Sequence, residues 1–385
     1  MRILYLSTGL FYKGGIARYS RYQVEALRRI MGPENVRVLS MMGRGPDDFE
    51  GEFQADWSGP AKEPRLRGRV AFVLAGFRSF FDRPGRPDTV VWVNHVNYGP
   101  IGWVLRTCGA RAYIVNTYGL ELWSGMRPHR RAALFRADHV VVDCHFSRDY
   151  IVQENMAPED RTSVVWDPVD TERFSPGPAS AEALQRYGVA VRPDRFRIIT
   201  VGRLNVGSRH KGVERNIRML SGLDPGLPVD LVVVGDGDDR PRLEALAAQL
   251  GVRERVFFAG SVPDQDLPDL YRSCHLSMLV SDRGKNRGEG IPLTPLEAAA
   301  CGLPIIVGNQ DGSREAVVQG VNGWCLDPFD LACQRAAVER LARDPALRER
   351  MGRAARERIL QEHAFDVFVE RTRTALQRVL PEPQS

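Results

Sequence analysis

Short, nearly uninterrupted apolar runs, each followed by a turn and usually a helix-like pattern, recur along the whole chain. In the first half they are RILYLST, VRVLSMM, TVVWVNH, AYIVNTYG and HVVVDC, with segments such as ARYSRYQVEALRRI and RRAALFRA between them. Runs of this kind lack the alternation of a half-solvated strand. They suit parallel strands covered by helices on both faces. Val164 to Ser180, VVWDPVDTERFSPGPAS, breaks the rhythm with Pro, Asp and Ser and reads as a linker between domains. The alternation then restarts in FRIITVGRL, VDLVVVGDGD, RVFFAGSV, HLSMLVS, LPIIVGN and GWCLD, and the chain closes on helical patterns. The expected fold class is α/β, with two successive Rossmann-like halves. A length of 385 residues also fits two domains better than one core. In open α/β sheets ligands bind beyond the carboxyl ends of strands, so the chemistry is sought in the loops there.

Composition sets outer limits. With 43% hydrophobic and 26% charged residues the chain reads as soluble and globular. No apolar run approaches the roughly 18 residues of a membrane-spanning helix. The opening MRILYLSTGLFYKGG reads as a first strand rather than a signal peptide. Six cysteines (Cys108, Cys144, Cys274, Cys301, Cys325 and Cys333) form no C-x-x-C and no zinc spacing, so reduced thiols and a cytoplasmic setting are expected. The net charge of +5 and pI of about 9 mean either an Arg-rich solvated surface or an anionic partner. No basic stripe interleaved with aromatics is present, which argues against nucleic acid. Lysine is confined to Lys13, Lys62, Lys211 and Lys285, so a Lys inside a Gly-containing loop draws attention.

Four stretches are candidate sites. In STGLFYKGGIARYS, Gly14 and Gly15 stand between a strand and a helix. They either let the backbone approach an anion or make a plain turn. In VGRLNVGSRHKGVE, Arg203 and Lys211 bracket a loop after a strand; they either clamp a pyrophosphate or are solvated, and His210 is read as their neighbour rather than a catalyst. VVVGDGDDR offers glycines suggestive of a dinucleotide and Asp236-x-Asp238 suggestive of a metal, but it lacks a third Gly and reads as a polar strand-to-helix turn. EGIPLTPLEAAACGLP carries Glu289 and Glu297. Thr294, Pro295 and Glu297 match a capping box, with Thr294 at the N-cap, Pro295 at the first helical position and the helix ending at Gly302. Glu297 therefore either caps its own helix or binds a ligand. Glu289, on a polar loop after a strand, has no such structural duty.

Taken together, Gly14 and Gly15, Arg203 with Lys211, VFFAGSVPDQDLPDLYRSC, the E-x7-E of Glu289 and Glu297, and GSREAVVQGVNGWCLDP resemble the family 4 glycosyltransferases. The resemblance covers most of the chain and is strongest from Val201 to Pro328. It implies the GT-B fold, with a first domain over 1–175, a nucleotide-sugar domain over 176–362, and a terminal helix over 363–385 that returns to the first domain. It implies a retaining hexosyltransferase that uses a nucleotide-diphosphate sugar as co-substrate, with no cofactor and no essential metal, acting on a saccharide, lipid-linked or small-molecule acceptor, as in polysaccharide biosynthesis. By the same resemblance, Arg203 and Lys211 neutralise the donor diphosphate. Glu297 binds the ribose, and Glu289 with Gly290, Ile291, Pro292 and Leu293 lies along the donor sugar. Backbone around Val262 meets the nucleobase, and Gly15 lies near the phosphates. Where members have His in HG-x-E, this chain has TYGLELW, placing Tyr118 there; His95, in VNHVNYG, is a second candidate for that duty. Pro292 stands where many members have Gly and removes one N–H from the turn.

Two alternatives stay open on sequence alone: a catalytically idle nucleotide-sugar binder, and a GT-B disaccharide synthase or phosphorylase. A further segment, RLRGRVAFVLAGFRSFFDRPGR from Arg65 to Arg86, is either a buried helix on the first sheet, the favoured reading, or a peripheral contact with an anionic membrane.

Overall fold

A computed structural model describes residues 1–12, 14–45, 53–61, 66–82, 86–189, 192, 194–284 and 286–380. Lys13, Lys62, Arg65 and Lys285 lie outside the described residues. The chain divides into two compact units, Met1–Pro168 with Phe365–Ser385, and Val169–Ala364.

The first unit is built on β1 (Arg2–Gly9), β2 (Val36–Met42), β3 (Trp57–Ser58), β4 (Thr89–Val93), β5 (Ala112–Thr117), β6 (His139–Val142) and β7 (Thr162–Val164). Their order is β3-β2-β1-β4-β5-β6-β7, and every pairing is parallel. The apolar runs explain why both faces are covered. Along β1, Ile3 and Tyr5 join one buried cluster while Leu4 and Leu6 join the other. Val90 and Trp92 divide from Val91 and Val93 in the same way on β4. The last helix, Phe365–Gln377, belongs to this unit. It packs on the helix Gly15–Met31, with Phe368 edge-on to Tyr19 at 5.3 Å and Phe365 against Tyr22 at 5.9 Å.

The second unit carries β8 (Phe196–Val201), β9 (Val229–Val234), β10 (Val256–Gly260), β11 (Leu276–Leu279), β12 (Ile305–Gly308) and β13 (Gly323–Leu326), ordered β10-β9-β8-β11-β12-β13 and again parallel throughout. Both sheets are therefore doubly wound. The strand order reverses between β1 and β4 in the first and between β8 and β11 in the second, and such switch points open the crevice that takes a ligand.

The strands follow the sequence expectation apart from β3 and β7. These edge strands have two and three residues, too short for a periodic signal. The segment after Arg65 forms a helix over Leu66–Phe81 that is buried along one face, as the favoured reading expects. Phe72, Gly76 and Phe80 are buried, while Leu66 (77% exposed), Val70 (48%) and Leu74 (63%) face solvent. Among the described residues no helix is long and apolar enough to cross a membrane. All six cysteines are free; Cys144, Cys274 and Cys301 are buried, whereas Cys108 and Cys333 are exposed.

Candidate functional site

At the switch point of the second sheet, the loops after β8 and β11 meet through side chains. Lys211 Nζ donates to Glu289 Oε1 at 2.7 Å, and His210 Nε2 lies 2.8 Å from the same oxygen. The stem of Lys211 runs across Gly202, where an added Cβ would sit 3.0 Å from its Cδ. Burial alone would raise the Glu289 carboxyl, but the Lys211 ammonium and the His210 hydrogen bond outweigh it and bring it down to about 2. Glu289 is thus ionised at any working pH, and its Oε2 takes no hydrogen bond among the described residues. Arg203 follows β8 directly and is exposed, with no ion pair to this cluster among the described residues.

The main chain around this pair is clamped. Asp311, fully buried at the carboxyl end of β12, accepts the Glu289 N–H at 3.0 Å and the Ser281 hydroxyl at 2.9 Å through Oδ2. Its Oδ1 accepts from Ser313 N at 3.0 Å, and Gly312 N donates to the Glu289 carbonyl at 3.2 Å. Arg215 pairs with Asp282 at 2.9 Å and donates to the carbonyls of His210 and Val280, both at 2.7 Å. The sequence reading singled out neither Asp311 nor Arg215. The Asp-Gly-Ser after a strand was a usable sign of a side chain capping backbone N–H groups.

The turn Gly290–Pro292 leads into the helix Leu293–Ala300, and Ile291 and Pro292 are buried. The expected capping box is not formed. Pro292 is the N-cap, no side chain caps the helix, and Thr294 and Pro295 lie inside its first turn. The helix starts early because the fixed φ of Pro292 leads straight into it, and Pro295 is tolerated where N–H groups have no intrahelical acceptor anyway. The N–H groups of Leu293 and Thr294 therefore have no acceptor among the described residues. Glu297 is not a cap: it is 2% exposed and accepts from Tyr271 Oη at 3.1 Å. The far end closes as expected, with Gly302 at φ 85° and Leu303 N bonded to Ala298 O at 3.1 Å. Val262 is half-buried in the loop after β10.

The glycines of VVVGDGDDR have a packing role. Gly235 has φ 131°, and a Cβ there would fall 1.9 Å from Gly202 O; one on Gly237 would meet Leu204 at 2.5 Å. They let the turn after β9 pass against the segment that carries Arg203.

The first unit gathers a second polar group at the carboxyl ends of its strands. Gly14 and Gly15 open the helix Gly15–Met31, which has no side-chain cap and no acidic residue in its first turn. His95, after β4, accepts from Asn97 N at 3.2 Å, and its ring centre is 6.2 Å from that of Tyr118, after β5. Tyr118 is 8% exposed, and its hydroxyl accepts from Asn116 Nδ2 at 3.2 Å. Burial holds the Tyr118 hydroxyl well above its usual range, so it stays protonated. Two buried carboxylates missed from sequence join this side, Asp143 after β6 and Asp167 after β7. Burial pushes Asp167 up to about 8, opposed by the charge of Arg18.

Two doubly wound parallel sheets, with paired cationic and carboxylate side chains and open helix amides at a switch point, define an α/β protein built to take an anionic ligand. The family described as glycosyl transferases group 1 matches residues 185–358, and the glycosyl transferase 4-like domain matches residues 14–166. A GDP-mannose-dependent alpha-(1-6)-phosphatidylinositol monomannoside mannosyltransferase of Mycolicibacterium smegmatis is 32% identical over 71% of both chains. A D-inositol 3-phosphate glycosyltransferase of Geodermatophilus obscurus is 31% identical over 84% of this chain and 76% of its own. The chain belongs to the family 4 glycosyltransferases of GT-B fold. The fold matches that of the sucrose-phosphate synthase of Thermosynechococcus elongatus, with a TM-score of 0.78 at 20% identity over 98% of this chain and 99% of that one. It also matches Anabaena HepE in complex with UDP, with a TM-score of 0.76 at 18% identity over 98% and 100%.

Proposed function

We propose that the protein is a retaining glycosyltransferase that moves a hexosyl group from a nucleotide-diphosphate sugar to a hydroxyl of a saccharide, lipid-linked or small-molecule acceptor, without an essential metal. The observation that carries this reading is the Lys211–Glu289 pair at the second switch point, followed by the open amides of Leu293 and Thr294. Lys211 uses one of its three N–H groups on Glu289, which leaves two for phosphate oxygens. With exposed Arg203 and the two amides they offset the charge that builds on the leaving diphosphate. Glu297 takes the ribose hydroxyls, Glu289 Oε2 a hydroxyl of the donor sugar, and the main chain around Val262 the base. Within the first unit, Gly14 and Gly15 are anion-binding candidates, and His95, backed by Tyr118 whose hydroxyl is buried against Asn116, is a sugar-binding one. In the transfer step the acceptor oxygen bonds to the anomeric carbon as its bond to the diphosphate breaks on the same face. The acceptor proton passes to the leaving phosphate oxygen. A double displacement would instead need a second carboxylate about 5 Å away across the sugar.

The first donors to test are GDP-mannose, named for the Mycolicibacterium relative, and UDP-glucose, which HepE holds in another of its structures. With EDTA present, one of them is expected to bind and to undergo slow hydrolysis, or transfer to an acceptor extract, with the anomeric configuration retained. Glu297→Gln raises the donor KM about tenfold, the loss of a hydrogen bond to a charged group. An inverted product, or full dependence on a divalent ion, sinks the reading; binding with no turnover on any acceptor identifies an idle binder.

The exposed stripe Leu66, Val70 and Leu74, flanked by Arg67, Arg69 and Arg78, fits an anionic lipid surface on the cytoplasmic side. The protein is expected to sediment with vesicles rich in phosphatidylglycerol and not with phosphatidylcholine alone. Leu74→Glu should release it at unchanged thermal stability. Equal partition of that variant would remove the lipid assignment.

A further inference from the structure

We infer that His210 is a positioning residue that holds the Glu289 carboxylate in place while Lys211 engages the donor diphosphate. The inference rests on the roles proposed above for Lys211 and Glu289.

Two donors, Lys211 and His210, converge on a single oxygen, Glu289 Oε1. With that carboxylate ionised, His210 Nε2 carries the proton and donates. The two donors differ in kind. Lys211 is a mobile point charge on a flexible stem. His210 is a short ring on a fixed backbone, its carbonyl held by Asp282 N at 2.9 Å and by Arg215 at 2.7 Å. The ring is nearly buried, its side chain 12% exposed, and Nδ1 has no partner among the described residues. The polar contact the ring makes is thus the one to Glu289.

An arriving diphosphate draws on the Lys211 ammonium and weakens its hold on Oε1. Glu289, with an 18% exposed side chain, would then be a largely buried carboxylate losing its counter-charge. Such a group turns away or takes up a proton. Asp311 and Gly312 fix the Glu289 main chain but leave its side chain untouched. His210 supplies the bond that persists when Lys211 is shared, so Oε2 stays aimed at the sugar through the transfer step.

The test uses the full chain and the donor turned over in the assay above, GDP-mannose or UDP-glucose. His210→Leu is expected to lower kcat about 30-fold, the worth of one hydrogen bond to a charged group, with the Kd for GDP or UDP within threefold of wild type. His210→Gln, whose side-chain amide can donate to Oε1, should recover kcat to within about fivefold of wild type. A merely structural His would make both variants fall together in kcat and thermal midpoint. That result overturns the inference, as does a His210→Leu enzyme with unchanged kcat, or a loss confined to nucleotide binding. Lys211→Ala separates the two levels. If it is inactive while His210→Leu is unimpaired, only the role of His210 fails; if Lys211→Ala is fully active, the reading of the site itself fails.

Discussion

Lys211→Ala is expected to lower kcat about 10³-fold while the chain stays folded, the upper end of what one preorganised charge contributes at a developing anion. Glu289→Ala should be similarly inactive, because the donor sugar loses the ionised Oε2. The two losses have different effects on stability. Removing Lys211 leaves Glu289 as a mostly buried carboxylate with His210 as its remaining partner, and breaking such a pair costs about 3 kcal/mol or more. Removing Glu289 as well takes away the uncompensated charge, so the double variant should melt above Lys211→Ala while remaining inactive. Rates and thermal midpoints of the three variants make the cycle. A Lys211→Ala rate within tenfold of wild type would contradict the role assigned to this ammonium.

Gly235→Ala is expected to lower the thermal midpoint by roughly 10 °C, corresponding to about 3 kcal/mol of overpacking and backbone strain. Its φ is 131°, and the new Cβ would fall 1.9 Å from the carbonyl oxygen of Gly202, backbone that cannot swing aside. Gly202 precedes Arg203 and underlies the Lys211 stem, so donor affinity should fall with the midpoint. Gly251→Ala is the control. Gly251 also has a left-handed φ, 70°, but nothing lies within 4 Å of a Cβ there, and the cost should stay near 1 kcal/mol. Equal midpoints for the two variants would show that the close approach at Gly235 contributes nothing.

How much of this was legible in the sequence depends on the range of each interaction. Long apolar runs such as VDLVVV announce strands buried on both faces, and their alternation with helices announces parallel α/β sheets, whereas the strand order is visible only in the fold. Thr162–Val164 carries no such signal, because a three-residue edge strand is made by its neighbour β6 rather than by its own pattern. The Thr-Pro-x-Glu pattern pointed to a capping box. Its local logic was overridden by Pro292 starting the helix and by Tyr271, 26 residues upstream, taking the Glu297 carboxylate. Asp311 serves a backbone N–H 22 residues earlier in the chain, a contact that exists only once β11 and β12 lie side by side. His210 read as a bystander for the same reason, since its partner Glu289 is 79 residues away. Lys211 stood out through composition, being one of four lysines in an Arg-rich chain.

The helix Phe365–Gln377 has a consequence for the order in which the protein is made. Phe368, Val369, Ala375 and Leu376 belong to the same buried cluster as Ile3, Tyr5 and Trp92. Residues made after Ala364 therefore complete a core whose other members are all made before Val169. Val169–Ala364 is one unbroken stretch that emerges whole in the interval. At the usual pace of synthesis that interval is roughly 10–40 s, during which the helix Gly15–Met31 waits without the ring contacts that Phe368 makes to Tyr19 and Phe365 to Tyr22. Vectorial synthesis thus favours the second unit reaching its native state first. A chain that terminates between Val169 and Phe365 forfeits part of the core built on β1 and β4, so a break within or just after the second unit is registered in the first.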